Sequence, residues 1–201
     1  MPEQTPNKMR ETKSALRDLV YARLQKMTPE QRARASAQAR ARLEKQAAWT
    51  EARSVLLYAP MPEELDVWPL VQVALAAGKR VALPRFDSRT RSYIACQVQN
   101  PADDIKPGYF GIREPGAHCA AVSPDRLDLV LVPGMVFDSQ GRRLGRGKGY
   151  YDQLLAGVRG TTCGVAFDEQ IVEEVPVEPH DVHLRCVLTP TQWIQPVPAR
   201  D

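Results

Sequence analysis

The sequence predicts an α/β protein: a mainly parallel sheet covered on both faces by helices, with two further helices ahead of it. Three observations predict this. Short runs such as Ser54-Val55-Leu56-Leu57-Tyr58 and Asp128-Leu129-Val130-Leu131-Val132 are continuously apolar rather than alternating, as in strands buried on both faces. These runs are interspersed with segments of helical period, the order of βαβ units. The first fifty residues instead carry strong helix formers.

Each element has its own signal. Residues 1–7 hold two prolines and little apolar content, and are expected to be disordered. From about Lys8 to Met27, Leu16, Leu19, Val20, Tyr21 and Leu24 recur at helical spacing. Thr28-Pro29-Glu30-Gln31 starts a second helix. Thr28 caps, Pro29 takes the first helical position and Gln31 completes a capping box. An Ala-, Arg- and Gln-rich stretch continues it to about Ala48. The strand at Ser54–Tyr58 is stopped by Ala59-Pro60-Met61-Pro62. Asp66 to Ala77 reads as a helix ended by Gly78, with Asp66 as its cap. Arg80–Leu83 is a strand stopped by Pro84, and Ser92–Val98 is another. Residues 99–126 are loop-rich, with Pro107, Pro115 and Pro124. Asp128–Val132 is stopped by Pro133-Gly134. A short helix near Tyr150–Ala156 and strands at Thr161–Phe167 and Arg185–Leu188 complete the list. There is no internal repeat, so residues 1–201 are expected to form one domain. In such sheets ligands bind beyond the carboxyl ends of the strands, which points to the segments after Tyr58, Leu83 and Val132.

Composition narrows the class. Apolar residues make up 43% and charged residues 25%, as in a globular domain rather than a disordered chain. No stretch nears 18 consecutive apolar residues, so no membrane span is expected. The first 25 residues lack the apolar run of a signal peptide. Cys96, Cys119, Cys163 and Cys186 are far apart, and read as reduced thiols in a cytoplasmic protein rather than a disulfide scaffold or zinc site. Proline is in excess, at 17 of 201 residues, and marks where strands end in shaped loops. Residues 1–53 carry 12 Lys and Arg against 6 Asp and Glu, whereas residues 54–201 carry 15 against 18. The basic N-terminus suits an anionic partner, or is a solvated helix surface.

The most informative segment is Arg142-Arg143-Leu144-Gly145-Arg146-Gly147-Lys148-Gly149-Tyr150-Tyr151-Asp152. Glycines at alternate positions let backbone N–H groups approach a bulky anion. Arg142, Arg143, Arg146 and Lys148 place four cations in seven positions, matching a polyphosphate, and the helix that follows would point its positive end there. It is not a Walker A loop, because Gly149 follows Lys148 where Ser or Thr is needed, and G-x-G-x-G is not the dinucleotide fingerprint. Asp152 could serve a magnesium ion beside the phosphates, or be an ordinary surface carboxylate. In His180-Asp181-Val182-His183 a zinc site lacks further ligands, while Asp181 could be a second magnesium anchor or a turn residue. Glu63, Glu64 and Asp66 follow the first strand, where a ligand with amine donors could meet them. Lys13 and Arg17, four apart, share a helix face and could reach a phosphate.

Together these segments resemble the 5-formyltetrahydrofolate cyclo-ligase family. The strongest match is Val132-Pro133-Gly134-Met135-Val136-Phe137-Asp138, a five-residue gap, then Leu144-Gly145-Arg146-Gly147-Lys148-Gly149-Tyr150-Tyr151-Asp152. Weaker matches are Lys13-x-x-x-Arg17, Tyr58-x-x-Met61-x-x-Glu64, Gly111-Ile112-Arg113-Glu114-Pro115, and Val175-Pro176 running to His180-Asp181. The resemblance spans roughly residues 10–190. Arg185 departs from it, where relatives more often carry an acidic residue.

The resemblance implies a three-layer α/β/α fold of the sugar-phosphate isomerase and CoA-transferase kind. It implies conversion of 5-formyltetrahydrofolate to 5,10-methenyltetrahydrofolate with ATP and magnesium. By position, Lys13, Arg17 and the loop Arg143, Leu144, Gly145, Arg146, Gly147, Lys148, Gly149, Tyr150 and Tyr151 would bind ATP. Lys148 and Arg146 would act on the transferring phosphoryl group. Asp152 and Asp181 would hold magnesium, and Met61, Glu64 and Phe110 would contact the folate. A monomer is expected, with no nucleic-acid or membrane partner. The Arg run at residues 32–42 has no interleaved aromatics for stacking on bases. The competing readings are a fold relative acting on sugar phosphates or CoA esters, and a non-catalytic nucleotide- or folate-binding module.

Overall fold

The computed structural model of the 201-residue chain describes residues 6–178 and 181–196, with all their side chains except those of Pro6, Asn7 and Phe110. The chain runs α1 (Pro6–Leu24), α2 (Pro29–Leu43), α3 (Ala47–Thr50), β1 (Ser54–Leu56), α4 (Pro69–Ala76), β2 (Arg80–Asp87) and β3 (Ser92–Val98). It continues through α5 (Pro101–Asp104), β4 (Ile105–Pro107), β5 (Arg113–Pro115), β6 (Leu129–Val132), β7 (Val136–Asp138), β8 (Arg143–Leu144) and α6 (Tyr150–Leu155). It ends in β9 (Thr161–Val165), β10 (Ile171–Val172), β11 (Cys186–Leu188) and β12 (Trp193–Ile194).

Among the described residues a seven-stranded sheet has the order β12-β11-β9-β6-β1-β2-β3. The strands from β11 to β2 are parallel, and each edge strand is antiparallel. From β1 the chain moves outward to β2 and β3, then crosses to β6 and moves outward the other way. The reversal falls between β1 and β6, which is where an open α/β sheet parts to make a crevice.

The continuous apolar runs are continuous because both faces are covered. Val55, Leu57, Val81, Leu83, Leu129 and Leu131 share one core with Val20 of α1, Ala39 and Leu43 of α2, and Leu70 and Ala74 of α4. Leu56, Ala82, Val130, Val132 and Val187 point the other way, against Leu154 and Leu155 of α6. That alternation gives the three layers.

The local signal holds at the start of α2 and shifts at the starts of α1 and α4. The Thr28 hydroxyl accepts from the Gln31 backbone N–H, and the Gln31 side chain accepts from Thr28 N at 2.8 Å. The helix expected from Lys8 begins at Pro6, and residues 1–5 of the expected disordered segment lie outside the described residues. α4 starts at Pro69 rather than Asp66. Asp66 accepts from Trp68 N at 2.9 Å, closing the turn just ahead of the helix.

The expected stop at Pro84 is a correction, because β2 runs through it to Asp87. Ala82 O accepts from Leu57 N on the β1 side. With a period of two, the Pro84 nitrogen faces the same side, beyond the end of β1. No ladder bond is lost there, and β2 stays paired with β3, Pro84 opposite Ala95 and Phe86 opposite Tyr93.

The loop-rich reading of residues 99–126 missed the β4–β5 ribbon, whose strands are three residues each. A small sheet, β10-β7-β8, sits beyond the end of β6. Buried Gln170 fixes the turn into it, donating to Gly134 O at 2.8 Å and Met135 O at 3.0 Å. No described helix is long and apolar enough to cross a membrane.

Candidate active site

A cleft of roughly 320 Å³ opens at the β1/β6 reversal. Tyr58 and Ala59 after β1, Pro84 in β2, and Pro133 and Gly134 after β6 line it. Each wall is held by backbone. The buried Tyr58 hydroxyl donates to Leu65 O at 2.9 Å, fixing the loop that carries Met61 and Glu64. Met135 N donates to Leu144 O at 2.8 Å, so β8 presents Arg143 to the cleft.

Met61, Glu64, Arg143, Gly145, Arg146, Lys148, Gly149, Tyr150, Tyr151 and Asp152 line the cleft together. Leu144 is buried beside it, and Gly147 lies in the same loop. Gly147 and Gly149 have φ of 87° and 66°, a left-handed backbone that favours glycine, and Gly149 leads directly into α6. That helix is only six residues long.

α1 reaches the loop from outside the cleft. Arg17 Nε donates to Gly145 O at 2.9 Å, and burial lowers its pKa. One turn earlier, Lys13 Nζ lies 2.8 Å from Glu178 Oε2 and 3.0 Å from Asp181 Oδ2. Burial alone would lower the Lys13 pKa, but its hydrogen bonds to Glu178 and Asp181 and their charges leave it raised. Asp181 also accepts from Glu178 N. Lys13 and Asp181 therefore meet each other, and neither lines the cleft. The side chain of Phe110 and the whole of His180 lie outside the described residues.

The cations of the loop differ sharply. Arg143 Nη2 binds Asp152 Oδ1 at 2.7 Å and its Nη1 donates to Pro133 O at 3.3 Å, while its buried Nε has no hydrogen-bond partner among the described residues. Arg146 reaches across the cleft to Glu63 at 2.9 Å and Glu64 at 3.6 Å. Lys148 is exposed and has no partner among the described residues. Arg142 does not join them, which corrects the four-cation match. It turns away to Asp138 at 2.6 Å and Glu174 at 3.0 Å, because the tight turn at residues 138–142 closes on the buried Asp138 carboxylate.

Glu64 Oε2 accepts from Met61 N at 3.0 Å, and burial raises its pKa. Tyr151 is raised by burial, then by the charge of Glu64, and Tyr93 is pushed up to about 12, mainly by burial. Both phenols therefore stay neutral. Tyr93 sits 5.8 Å from the Tyr150 ring and 5.4 Å from the Tyr151 ring, with Phe86 5.1 Å from Tyr150. Sequence reasoning missed Tyr93, and noted Tyr58 and Glu114 only as positions of family-like motifs without a role in the site. The misread end of β2 hid the Phe86–Tyr93 pairing that would have brought Tyr93 to the site.

Two donor sets could hold a metal. Asp152 lines the cleft, and its Oδ2 has no hydrogen-bond partner among the described residues, so a hard oxygen ligand is free there. Away from the cleft, Asp104, His118 and Cys119 lie together at the base of the ribbon. There His118 Nε2 is already 3.0 Å from Asp104 Oδ1.

The chain is 32% identical over 178 residues to Escherichia coli (strain K12) 5-formyltetrahydrofolate cyclo-ligase, covering 87% of this chain and 98% of that one. It is 29% identical over 192 residues to the Mus musculus protein of the same name, covering 88% and 92%. The NMR structure of Aquifex aeolicus 5,10-methenyltetrahydrofolate synthetase superposes with a TM-score of 0.83 at 32% identity, over 94% of this chain and 95% of that one. A Mycoplasma pneumoniae 5,10-methenyltetrahydrofolate synthetase shares the fold, with a TM-score of 0.71 at 20% identity over 89% and 98%. A sequence profile of the 5-formyltetrahydrofolate cyclo-ligase family matches residues 9–190, and the chain belongs to that family.

Proposed function

We propose that this protein converts 5-formyltetrahydrofolate to 5,10-methenyltetrahydrofolate, consuming ATP with magnesium and releasing ADP and phosphate. The observation that carries the reading is the cleft at the β1/β6 reversal. There a glycine-rich loop, an unpaired lysine and a carboxylate with a free oxygen converge, in a chain of this family. It acts as a single-domain monomer in the cytoplasm. The four cysteines support that compartment, since all are free and buried.

The chemistry needs an activated formyl group. A formamide carbon is a poor electrophile because its nitrogen donates into the carbonyl. The formyl oxygen attacks the γ-phosphorus and ADP leaves. The second folate nitrogen then attacks the formyl carbon, the carbon–oxygen bond to phosphate breaks, and that nitrogen loses its proton. Phosphoryl transfer needs positioning and charge stabilisation more than covalent help from the protein. Lys148 supplies charge to the transferring group, and Arg146 joins it by exchanging Glu63 for phosphoryl oxygens. The backbone of Gly145, Gly147 and Gly149 cradles the phosphates, with Leu144, Tyr150 and Tyr151 shaping the pocket. Arg143 holds Asp152 in place, and Arg17 holds the loop through Gly145 O. Lys13 would reach the phosphates from α1 by giving up Glu178 and Asp181.

Asp152 would hold magnesium, joined by Asp181 once it gives up Lys13, and the ion when bound would offset phosphate charge. Met61, Glu64 and Phe110 contact the folate. Fixing both folate nitrogens about one carbon makes ring closure effectively unimolecular. The test is an assay with ATP, magnesium and 5-formyltetrahydrofolate, read by the near-ultraviolet absorbance of the methenyl product. Product is expected only when all three are present, and its absence with all three overturns the proposal.

A further inference from the structure

Glu114 lies on β5, is 5% exposed, and lines the cleft. Its Oε2 accepts from Phe86 N at 3.2 Å. Its Oε1 is buried and has no hydrogen-bond partner among the described residues. Few buried carboxylate oxygens in native proteins lack a donor, because leaving one bare costs free energy.

Among the described residues no group closes a hydrogen bond on Oε1, although the Tyr109 backbone N–H also points toward this carboxylate. Arg85 donates instead to Gly116 O at 2.6 Å and Cys119 O at 3.4 Å. Yet the chain makes room for this carboxylate. A Cβ on Gly108 would lie 2.4 Å from Glu114 Cδ, and glycine there removes the clash. Burial raises the Glu114 pKa, and backbone donors and Arg85 only partly offset that. Glu64, the other glutamate that lines the cleft, is different. Its Oε2 faces Met61 N, and its Oε1 lies 3.6 Å from Arg146. Glu64 is engaged by the protein, whereas Glu114 waits for a donor from outside.

We infer that Glu114 Oε1 receives an N–H donor from the bicyclic head of the reduced folate, at the aminopyrimidinone edge that carries the exocyclic amine. This contact fixes which way the head lies between Glu114 and the Tyr93–Tyr150–Tyr151 wall. The inference rests on the cyclo-ligase reading.

The test is a cycle of dissociation constants measured by calorimetry without ATP. The ligands are 5-formyltetrahydrofolate and its 2-desamino analogue, and the proteins are wild type and Glu114→Met. In wild type, losing the amine is expected to weaken binding about tenfold to a hundredfold, as for a hydrogen bond to a charged group. In Glu114→Met the intact folate weakens by a similar factor and the two ligands bind alike. Equal amine penalties in both proteins overturn the inference alone. A wild type that binds neither ligand overturns the cyclo-ligase reading and this inference with it. Should Glu114→Met not fold, Glu114→Gln completes the cycle, and a smaller but non-zero coupling is expected. Zero coupling there also overturns the inference.

Discussion

Arg142 and Arg143 are neighbours in sequence, and each meets an aspartate, but the two pairs belong to different kinds of site. Asp138 is fully buried and accepts from Gln140 N, Arg142 N, Arg142 Nε and Val175 N. Arg142 spends its remaining reach on Glu174. The Asp138 carboxylate is fully used by these donors, and it ties the β7 end to the chain after β10. Arg143 and Asp152 leave an unpartnered Nε and a free Oδ2 beside the cleft. A satisfied network stabilises the fold, whereas an unsatisfied one awaits something the chain does not contain. Adjacent residues of identical chemistry can thus be sorted by whether their hydrogen bonds are used up.

The largest expected effect tests the closed pair. Asp138→Ala strands Arg142 and three backbone N–H groups, and removing one partner of a buried pair costs about 3–5 kcal/mol. Urea denaturation should show that loss, while the turnover of the remaining folded protein stays near wild type. A small stability loss with collapsed turnover would place Asp138 in the site and dissolve the contrast.

Lys148→Ala is the matching test at the open side. Lys148 is exposed and unpaired, so the denaturation midpoint should barely move. Turnover should fall about a hundredfold to a thousandfold, the scale of losing one charge that stabilises a transition state. Wild-type turnover in a folded Lys148→Ala protein would remove it from the mechanism.

The same contrast marks how much the sequence could say. Strand cores were legible because burial on both faces leaves a continuous apolar run, and the Thr28 cap because its chemistry is local. Arg142 was misassigned because spacing shows that cations are near one another, not which carboxylate each one finds. Pro84 was misread because a missing N–H matters only if a neighbouring strand needs it, and that depends on where β1 ends. The glycine-rich loop was legible as a motif. Glu114 was not, since an unpartnered oxygen exists only in three dimensions. The β4–β5 ribbon escaped notice because its strands, Ile-Lys-Pro and Arg-Glu-Pro, carry charge and proline and no apolar run.

A smaller effect sharpens the open pair. Asp152→Asn keeps an oxygen for Arg143 but removes the charge offered to a metal. The magnesium concentration for half-maximal turnover should rise about tenfold, on the scale of a weakened ligand. Urea stability should fall by about 1–3 kcal/mol, because the buried Arg143 keeps a hydrogen bond but loses its counter-charge. An unchanged magnesium titration would reject the metal role.

Glu64→Gln carries the smallest expected effect and the clearest sign. Burial raises the Glu64 pKa in the folded protein above its unfolded value of about 4.3. The native state therefore holds a proton that the unfolded chain has already released. Between the unfolded and folded values, stability must fall as pH rises, since the native state binds more protons. Below the unfolded value both states are protonated and the effect vanishes. Gln does not titrate, and its carbonyl can still accept from Met61 N. Glu64→Gln should thus match wild type near pH 4 and be more stable at pH 8, measured by urea midpoints across that range. A variant less stable than wild type at pH 8 would show that the Arg146 contact outweighs burial. Glu64 would then belong with Asp138 among the closed networks, not with Asp152 at the open edge.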